Sequence, residues 1–232
     1  MKHALVIALL FISFSASSQF GWRLGAKGGI GYTVLLNSEL QNDLNYLYAP
    51  SFAGHGGISV GFNHKFLNIG FTLGLFYTQY NQVWNNNEPI INYERELKFK
   101  YFNIPFLLRI RPAGDRIRKD HTFGGAYFEI GINPSFLLGT SDSRRIDSIP
   151  DLNYVNVDVK TGAESFNIGA VVGFGLHQVG TRRISLTHGI RFSYNFLNVI
   201  NDNSLIEFNG GDSKLLSAAY IIGLSYKFGR AY

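Results

Sequence analysis

The sequence predicts an all-β fold: a closed, eight-stranded, antiparallel, up-and-down transmembrane β-barrel. Three observations predict it. Apolar residues recur with a period of two in eight segments, which is the spacing of strands with two unlike faces. The 232 residues include 26 Gly, 20 Phe and 13 Tyr, a composition typical of β-structure. The connections between the segments alternate between shorter and longer ones, as in outer-membrane barrels.

The N-terminus has the pattern of a secretory signal. A basic start at Lys2 precedes an apolar run over residues 4–14, and small residues follow it. We therefore expect cleavage after Ser18, give or take a residue, which leaves residues 19–232 as a single barrel domain. A membrane anchor is the alternative, but the run is far shorter than the roughly 20 residues that a spanning helix needs.

Composition excludes several classes of protein. The chain has no cysteine, so it is not a lipid-anchored lipoprotein, a disulfide scaffold or a thiolate metal protein. Its formal net charge of +5 comes without a basic cluster suited to nucleic acid. The glycines lie in strand patterns rather than in a phosphate loop, and the histidines lack ligand spacing. We therefore expect no cofactor, no metal and no nucleic-acid partner.

The first three predicted strands alternate cleanly. They cover about residues 22–34, 52–62 and 67–77, with Trp, Phe, Leu, Ile or Tyr on one parity and mainly Gly, Ser, Thr or charged residues on the other. Trp and Tyr near strand ends suit the boundary between lipid and water. The pattern indicates one bulky apolar face and one small polar face on each strand.

The fourth predicted strand, about residues 93–110, changes parity. Leu97, Phe99 and Tyr101 share one face, whereas the apolar residues from Phe102 onward occupy the other. A β-bulge shifts the phase of a strand by one residue, so we predict a bulge at Tyr101 and Phe102. Pro105 nearby lacks a donor for the ladder.

Strands five to eight alternate again. Their apolar faces carry Phe128 to Phe136, Phe166 to Leu176, Ile184 to Phe196 and Leu216 to Phe228. With eight strands, both termini lie at the end of the shorter connections, which is the periplasmic end of such barrels. The alternating aromatics of the last strand predict an assembly signal for the outer-membrane insertion machinery, with Tyr226, Phe228 and Tyr232 as its residues.

The bulky face is expected to contact lipid. The interior of an eight-stranded ring is only wide enough for its own side chains, and the bulky residues would overfill it. The polar face would then line the lumen with a charge network in which we expect Glu129 to be the hub. The predicted network is Arg23, Lys27, Glu96, Lys98, Glu129 and Arg191. A soluble β-sandwich or lipocalin-like protein with the faces reversed remains the alternative.

Several segments together resemble a known family. They are the glycine-rich Leu24–Gly29, the strand Tyr101–Arg109 with Ile104-Pro105, and the closing Gly223–Gly229. These segments resemble the PorT-like family of outer-membrane β-barrel proteins, and the resemblance extends over essentially the whole mature chain. It implies the barrel and its location in the bacterial outer membrane.

The sequence favours a non-enzymatic barrel that presents loops or periplasmic turns to an envelope protein in assembly, secretion or adhesion. A narrow conduit for ions or small solutes is the alternative, although eight strands leave no open channel. His188 has lipid-facing parity, but no nucleophile lies beside it on its strand, so we interpret it as a histidine at headgroup level rather than as a catalytic base.

Overall fold

The computed structural model describes residues 20–37, 46–49, 51–64, 68–86, 93–112, 125–146, 153–179, 183–200 and 212–228. These residues form eleven strand segments and one 3₁₀ turn at Lys160–Gly162. Within these ranges no helix is long and apolar enough to cross a membrane. The segments are β1 Phe20–Asn37, β2 Tyr46–Ala49, β3 Ser51–His64, β4 Ile69–Asn86, β5 Tyr93–Asn103, β6 Phe106–Ile110, β7 Ala126–Ile146, β8 Tyr154–Asp158, β9 Phe166–Val179, β10 Ile184–Asn195 and β11 Ser213–Phe228.

The strands close into a ring of eight positions. Going around the ring, the order is β1, β3, β4, β5 with β6, β7, β9, β10 and β11, and β11 pairs again with β1. Each of these pairings is antiparallel. The short segments β2 and β8 pair in antiparallel fashion with the ends of β4 and β7. The predicted closed eight-stranded barrel is therefore confirmed.

The bulky apolar side chains face outward. Ile30 is 64% exposed and Phe52 is 61% exposed, whereas the charged Glu129 is only 2% exposed. A water-soluble protein has the reverse distribution, because burying apolar surface drives its folding. The arrangement contradicts the soluble sandwich or lipocalin-like alternative. We call this outward surface the apolar belt; on β1 it runs from Trp22 to Tyr32.

At the fourth position of the ring, which β5 and β6 form, the side-chain directions differ from those predicted. Every odd residue from Arg95 to Arg111 is buried in the interior, and the even residues point outward without interruption. Glu96 and Lys98 were predicted to lie in the lumen, but they point outward, and Leu97 points inward with 0% exposure. The apolar residues change face because the surroundings of the barrel change along the strand, and not because the backbone shifts.

The strand irregularity next to Tyr101 lies mainly in the neighbouring strand. The pairing of β5 with β7 shifts register between Lys100 and Tyr101, and the extra residue is Leu138 on β7. The buried parity of β7 changes there, from odd residues through Leu137 to even residues from Thr140. Tyr101 and Phe102 keep the alternation of their own strand, and Pro105 falls in the short break between β5 and β6.

Several strands extend well past the apolar belt at one end. A transmembrane strand needs about 9–11 residues, but β4 has 18 and β7 has 21. We call the end where β1 begins and β11 ends the lower end, and the opposite end the upper end. The upper parts of β4, β5 and β7, together with β2 and β8, form what we call the upper lobe. On β4, β5 and β7 its described outward side chains are mainly polar, as Glu94, Glu96 and Lys98 illustrate.

Candidate functional site in the barrel lumen

The centre of the lumen holds a buried ion cluster around Glu129. Arg109 Nη2 donates to Glu129 Oε2 at 3.0 Å, and Arg191 donates to Oε1 from Nη2 at 2.5 Å and from Nε at 2.9 Å. The two arginines are 5% and 8% exposed. The structure thus places Glu129 between two arginines that come from β6 and β10, on opposite sides of its own strand.

Strand register explains how these side chains meet. Arg109 is the direct partner of Glu129 across the β6–β7 pair. Arg191 is two strands away, and the residue between them on β9 is Gly173, which pairs with both. A Cβ at Gly173 would lie 2.9 Å from Glu129 Cγ, so a side chain there would obstruct the carboxylate. Glycine at this position therefore lets an ion pair span β9.

Aromatic rings support both arginines. The Arg109 guanidinium carbon lies 4.3 Å from the ring centroid of Tyr127, and that of Arg191 lies 6.0 Å from the centroid of Phe76. A cation over a ring face is attracted by the ring quadrupole. The rings fill the space that these side chains leave and hold the guanidinium groups at the level of Glu129.

Lys27 lies at the same level of the lumen. Its partner on β11 is Gly223, where a Cβ would lie 2.7 Å from Lys27 Cγ, so glycine again makes room for a long side chain. Lys27 is within electrostatic range of Glu129, Arg109 and Arg191. The structure therefore brings together three members of the predicted network, Lys27, Glu129 and Arg191.

Arg23 occupies a lower level. Its Nη1 is 3.2 Å from Nε2 of His177, and Nη2 also hydrogen-bonds Asn63. Glu96 and Lys98 do not join the network: Lys98 Nζ lies 2.8 Å from Glu96 Oε2, and both side chains are about a quarter exposed on the outer face of the upper lobe. The predicted set thus divides into a central cluster, a lower arginine and an outer ion pair.

An apolar cluster closes the lumen above the ions. We call it the plug, and it combines residues from around the ring with Val199 and Ile200. Trp84 is 1% exposed, and Phe99 and Tyr101 are 0% exposed. Higher still, Arg95 pairs with Asp142 at 2.6 Å. The full plug is Leu35, Ala53, Tyr80, Trp84, Leu97, Phe99, Tyr101, Leu137, Ala163, Val199, Ile200 and Leu215.

Sequence reasoning missed several of these groups. Arg109 had inward parity but was not assigned to the network, because its contact with Glu129 depends on inter-strand register. Tyr127, whose ring lies against Arg109, had no signal beyond its parity. In the part of the chain that the structure describes, no group of three side chains is arranged to hold a metal ion.

The comparison with protein-family models agrees with this architecture. A family model described as outer membrane protein beta-barrel domain matches residues 15–201. The chain belongs to this family.

Among solved structures, this outer-membrane barrel is similar to three other proteins at the level of the fold. It is 15% identical to Neisserial surface protein A, with a TM-score of 0.40 and coverage of 90% of this chain and 97% of that one. It is 14% identical to OprG from Pseudomonas aeruginosa, with a TM-score of 0.43 and coverage of 91% of this chain and 96% of that one. It is 10% identical to the attachment invasion locus protein Ail of Yersinia pestis, with a TM-score of 0.34 and coverage of 89% of this chain and 98% of that one. No curated protein matches the chain.

The lipid-facing surface of the outer-membrane barrel carries the last strand's aromatics. Tyr226 and Phe228 point outward, and Phe228 is 49% exposed. The Tyr226 hydroxyl accepts a hydrogen bond of 2.8 Å from Arg183 at the lower end, and its ring contacts that of Phe228. The ring therefore has one polar and one apolar neighbour, which is typical of aromatic residues at the membrane boundary. Tyr232 lies outside the described residues.

His188 also faces the lipid, but not at headgroup level as expected. It is four residues from Ile184, where β10 begins, and about 13 Å along the strand from it. Its neighbours on this face include Ile190, and its Nδ1 lies 3.2 Å from the Tyr220 hydroxyl. Within hydrocarbon a polar group needs a partner, and Tyr220 supplies one.

Proposed function

We propose that this outer-membrane barrel is a non-enzymatic, non-conducting protein that presents its upper lobe to a protein partner in envelope assembly, secretion or adhesion. The proposal rests on one observation: the lumen is filled at two levels, the ion cluster and the plug, and the strands continue past the membrane as a lobe whose inward residues contribute to the plug. A barrel built to conduct would keep its interior open, and a barrel that serves only as an anchor would not need the extended strands.

The filling of the lumen argues against conduction. The plug brings large side chains such as Trp84, Phe99 and Tyr101 to the axis, each 1% exposed or less. Below it, the cluster around Glu129 spans the lumen from β6 to β10. An ion passing through would have to displace apolar rings and then break buried ion pairs, which costs several kcal/mol for each pair.

The upper lobe is suited to recognition. Its inward residues Trp84, Leu97 and Phe99 belong to the plug, which fixes the strands, and its described outward residues on β4, β5 and β7 form a polar surface of mixed charge. Lys100, Lys98, Glu96 and Glu94 follow one another up β5, and Arg145 on β7 pairs in register with Glu94. Binding and recognition residues are often positioned by a rigid scaffold of this kind.

The environment of His188 supports a non-enzymatic role. Its hydrogen bond to Tyr220 gives this polar ring a partner within the apolar belt. The need for such a partner explains why His188 and Tyr220 lie together, and no catalytic role is required. The flanking outward residues of its strand, Leu186 and Ile190, are apolar.

Two experiments test the proposed function. Purified barrel incorporated into planar bilayers is expected to give no stable conductance, and a reproducible open pore would contradict the closed lumen. A photo-crosslinking residue at Lys98 in intact cells is expected to form an adduct with a protein, whereas the same residue at Phe106 in the belt is expected to label lipid. A Lys98 position that yields no protein adduct beyond the Phe106 control would contradict the recognition role.

The targeting and assembly features belong to the same proposal. We propose that residues 1–18 are a cleaved signal, that residues 19–232 form one domain with both termini in the periplasm, and that the chain falls within the PorT-like subgroup. The outward Tyr226 and Phe228, together with Tyr232, would be read by the insertion machinery. Phe228→Ala is expected to lower the amount of barrel in the outer membrane, and a yield equal to that of the parent chain would contradict this assignment.

A further inference from the structure

The pair formed by His188 and Tyr220 brings polar atoms into the middle of the apolar belt. His188 is the third of the six even-numbered residues of β10, which are the outward residues of that strand. Its cross-strand neighbours Leu176 and Ile222 are 46% and 50% exposed on the same face. The pair is therefore surrounded by apolar side chains and by the acyl chains of the lipid.

A count of hydrogen-bonding groups shows that this pair is incomplete. A neutral imidazole has one N–H and one acceptor nitrogen, and a phenol has one O–H and an acceptor oxygen. The contact of 3.2 Å between His188 Nδ1 and the Tyr220 hydroxyl uses one donor and one acceptor. Within the part of the chain that the structure describes, neither side chain makes another hydrogen bond. One donor and one acceptor therefore still face the lipid.

The same two kinds of group remain whichever side chain donates. If the Tyr220 hydroxyl donates to Nδ1, the Nε2–H of His188 and the Tyr220 oxygen remain. If Nδ1 donates instead, the Tyr220 O–H and the Nε2 acceptor remain. Hydrocarbon chains cannot hydrogen-bond, so polar groups left unpaired among them are costly. A partner within the membrane has to supply one donor and one acceptor.

A second copy of the same pair supplies both groups. Two barrels inserted in the same direction can be related by a twofold axis along the membrane normal, and this symmetry places equivalent residues at equal depth. The remaining donor of one copy then lies opposite the remaining acceptor of the other copy. Two hydrogen bonds form across the axis, and each pair acts once as donor and once as acceptor.

The wall beside the pair allows a second barrel to come close. Ile222 is in register with both His188 and Gly28, and Gly28 is in register with Gly56. A Cβ at either glycine would meet no atom of another strand closer than 3.8 Å, so both positions face open space. Small residues allow backbones to approach closely at interfaces within membranes. Ile30, two residues from Gly28, is 64% exposed and is available to fill the recess of the other copy.

We propose that this barrel forms a dimer in the membrane, in which the His188–Tyr220 pairs of two copies hydrogen-bond to each other across a twofold axis. The hydrogen bonds fix the depth and orientation of the contact, and the glycine recess provides its packing. The two lumens stay separate and both upper lobes face the same side, so the dimer does not depend on the recognition role proposed above.

Cysteine crosslinking tests the contact directly, because the chain has no cysteine of its own. Ile222→Cys places a thiol between the pair and the recess, and oxidation of native membranes is expected to link two copies of this chain. Phe106→Cys is the matched control, since Phe106 is 48% exposed but lies on β6, halfway around the ring from β11. Ile222→Cys giving no more linked dimer than Phe106→Cys, or linking only to a different protein, would overturn the proposal.

A double variant tests the hydrogen bonds. His188→Leu with Tyr220→Phe makes this face wholly apolar, so no polar group is left unpaired in the single barrel. The dissociation constant of the dimer in lipid vesicles, measured by energy transfer between labelled copies, is expected to rise at least about tenfold. Tyr77→Phe removes a comparably exposed hydroxyl on β4, three ring positions from β11, and is expected to leave the constant unchanged. A parent barrel that stays monomeric in vesicles, or a double variant that associates as tightly as the parent, would contradict the inference.

Discussion

Replacing Glu129 by alanine tests the central ion cluster most directly. The carboxylate is 2% exposed and receives three hydrogen bonds from Arg109 and Arg191, all of 3.0 Å or less. Its removal leaves two buried guanidinium groups without their counter-charge. Breaking a buried pair by removing one partner typically costs about 3–5 kcal/mol, so we expect the free energy of unfolding to fall by that amount.

The assay is urea unfolding of the barrel in detergent or lipid. The folded fraction is read from the shift in gel migration between unheated and heated samples. With a slope of about 1–3 kcal/mol per molar urea, the midpoint is expected to fall by at least about 1 M.

Glu96→Ala is the matched control. It also removes a glutamate that pairs with a cation, Lys98 at 2.8 Å, but both side chains are about a quarter exposed. Exposed ion pairs contribute less than about 1 kcal/mol, so its midpoint should hardly change. If Glu129→Ala unfolds at the same urea concentration as Glu96→Ala, the cluster does not stabilise the barrel and the reasoning fails.

Three further predictions use the same unfolding assay. Tyr101 is fully buried and its hydroxyl has no hydrogen-bond partner among the described residues, so Tyr101→Phe should leave the barrel as stable or up to about 2 kcal/mol more stable; a clear loss would contradict this account of the hydroxyl. Arg95→Ala removes the guanidinium that lies 2.6 Å from the buried Asp142 carboxylate and should lower the free energy of unfolding by up to about 3–5 kcal/mol; a loss no larger than that of Lys98→Ala would contradict a buried role. Gly173→Ala places a Cβ 2.9 Å from Glu129 Cγ and should cost about 1–3 kcal/mol, whereas Gly54→Ala, with nothing within 4 Å of its Cβ, should be neutral; equal stability of the two would show that the cluster tolerates the methyl group.

The alternation of most strands was predictable because it depends only on neighbours along the chain. On β1, Arg23 and Lys27 share the buried parity, and Trp22 and Ile30 share the outward one, as their spacing requires. Closure was also predictable, because unpaired strand edges cannot be satisfied in hydrocarbon. These inferences need no knowledge of how strands are aligned with one another.

The contacts within the lumen were not predictable to the same degree. Arg109 meets Glu129 because β6 and β7 pair in one particular register, and Arg191 reaches the same carboxylate across Gly173 of β9. Each step of register moves a side chain along the barrel axis, and the sequence of a single strand does not fix that alignment. Hence Glu129 could be singled out as a centre, while one of its two arginine partners could not be assigned.

Along β7, and along the neighbouring β5 and β6, the apolar side chains move from one face of the strand to the other. The same sequence pattern has a different cause in each case. On β7 the change at Leu138 is a true insertion: the pairing shifts, and burial moves from odd to even residues. On β5 and β6 burial stays odd from Arg95 to Arg111, and only the chemistry of each face exchanges at Tyr101 and Phe102. Below that point hydrocarbon surrounds the barrel, so apolar residues point out; above it water surrounds the upper lobe, so they point in. An inversion of apolar parity in a strand longer than about 11 residues can therefore mark the edge of the membrane rather than a bulge.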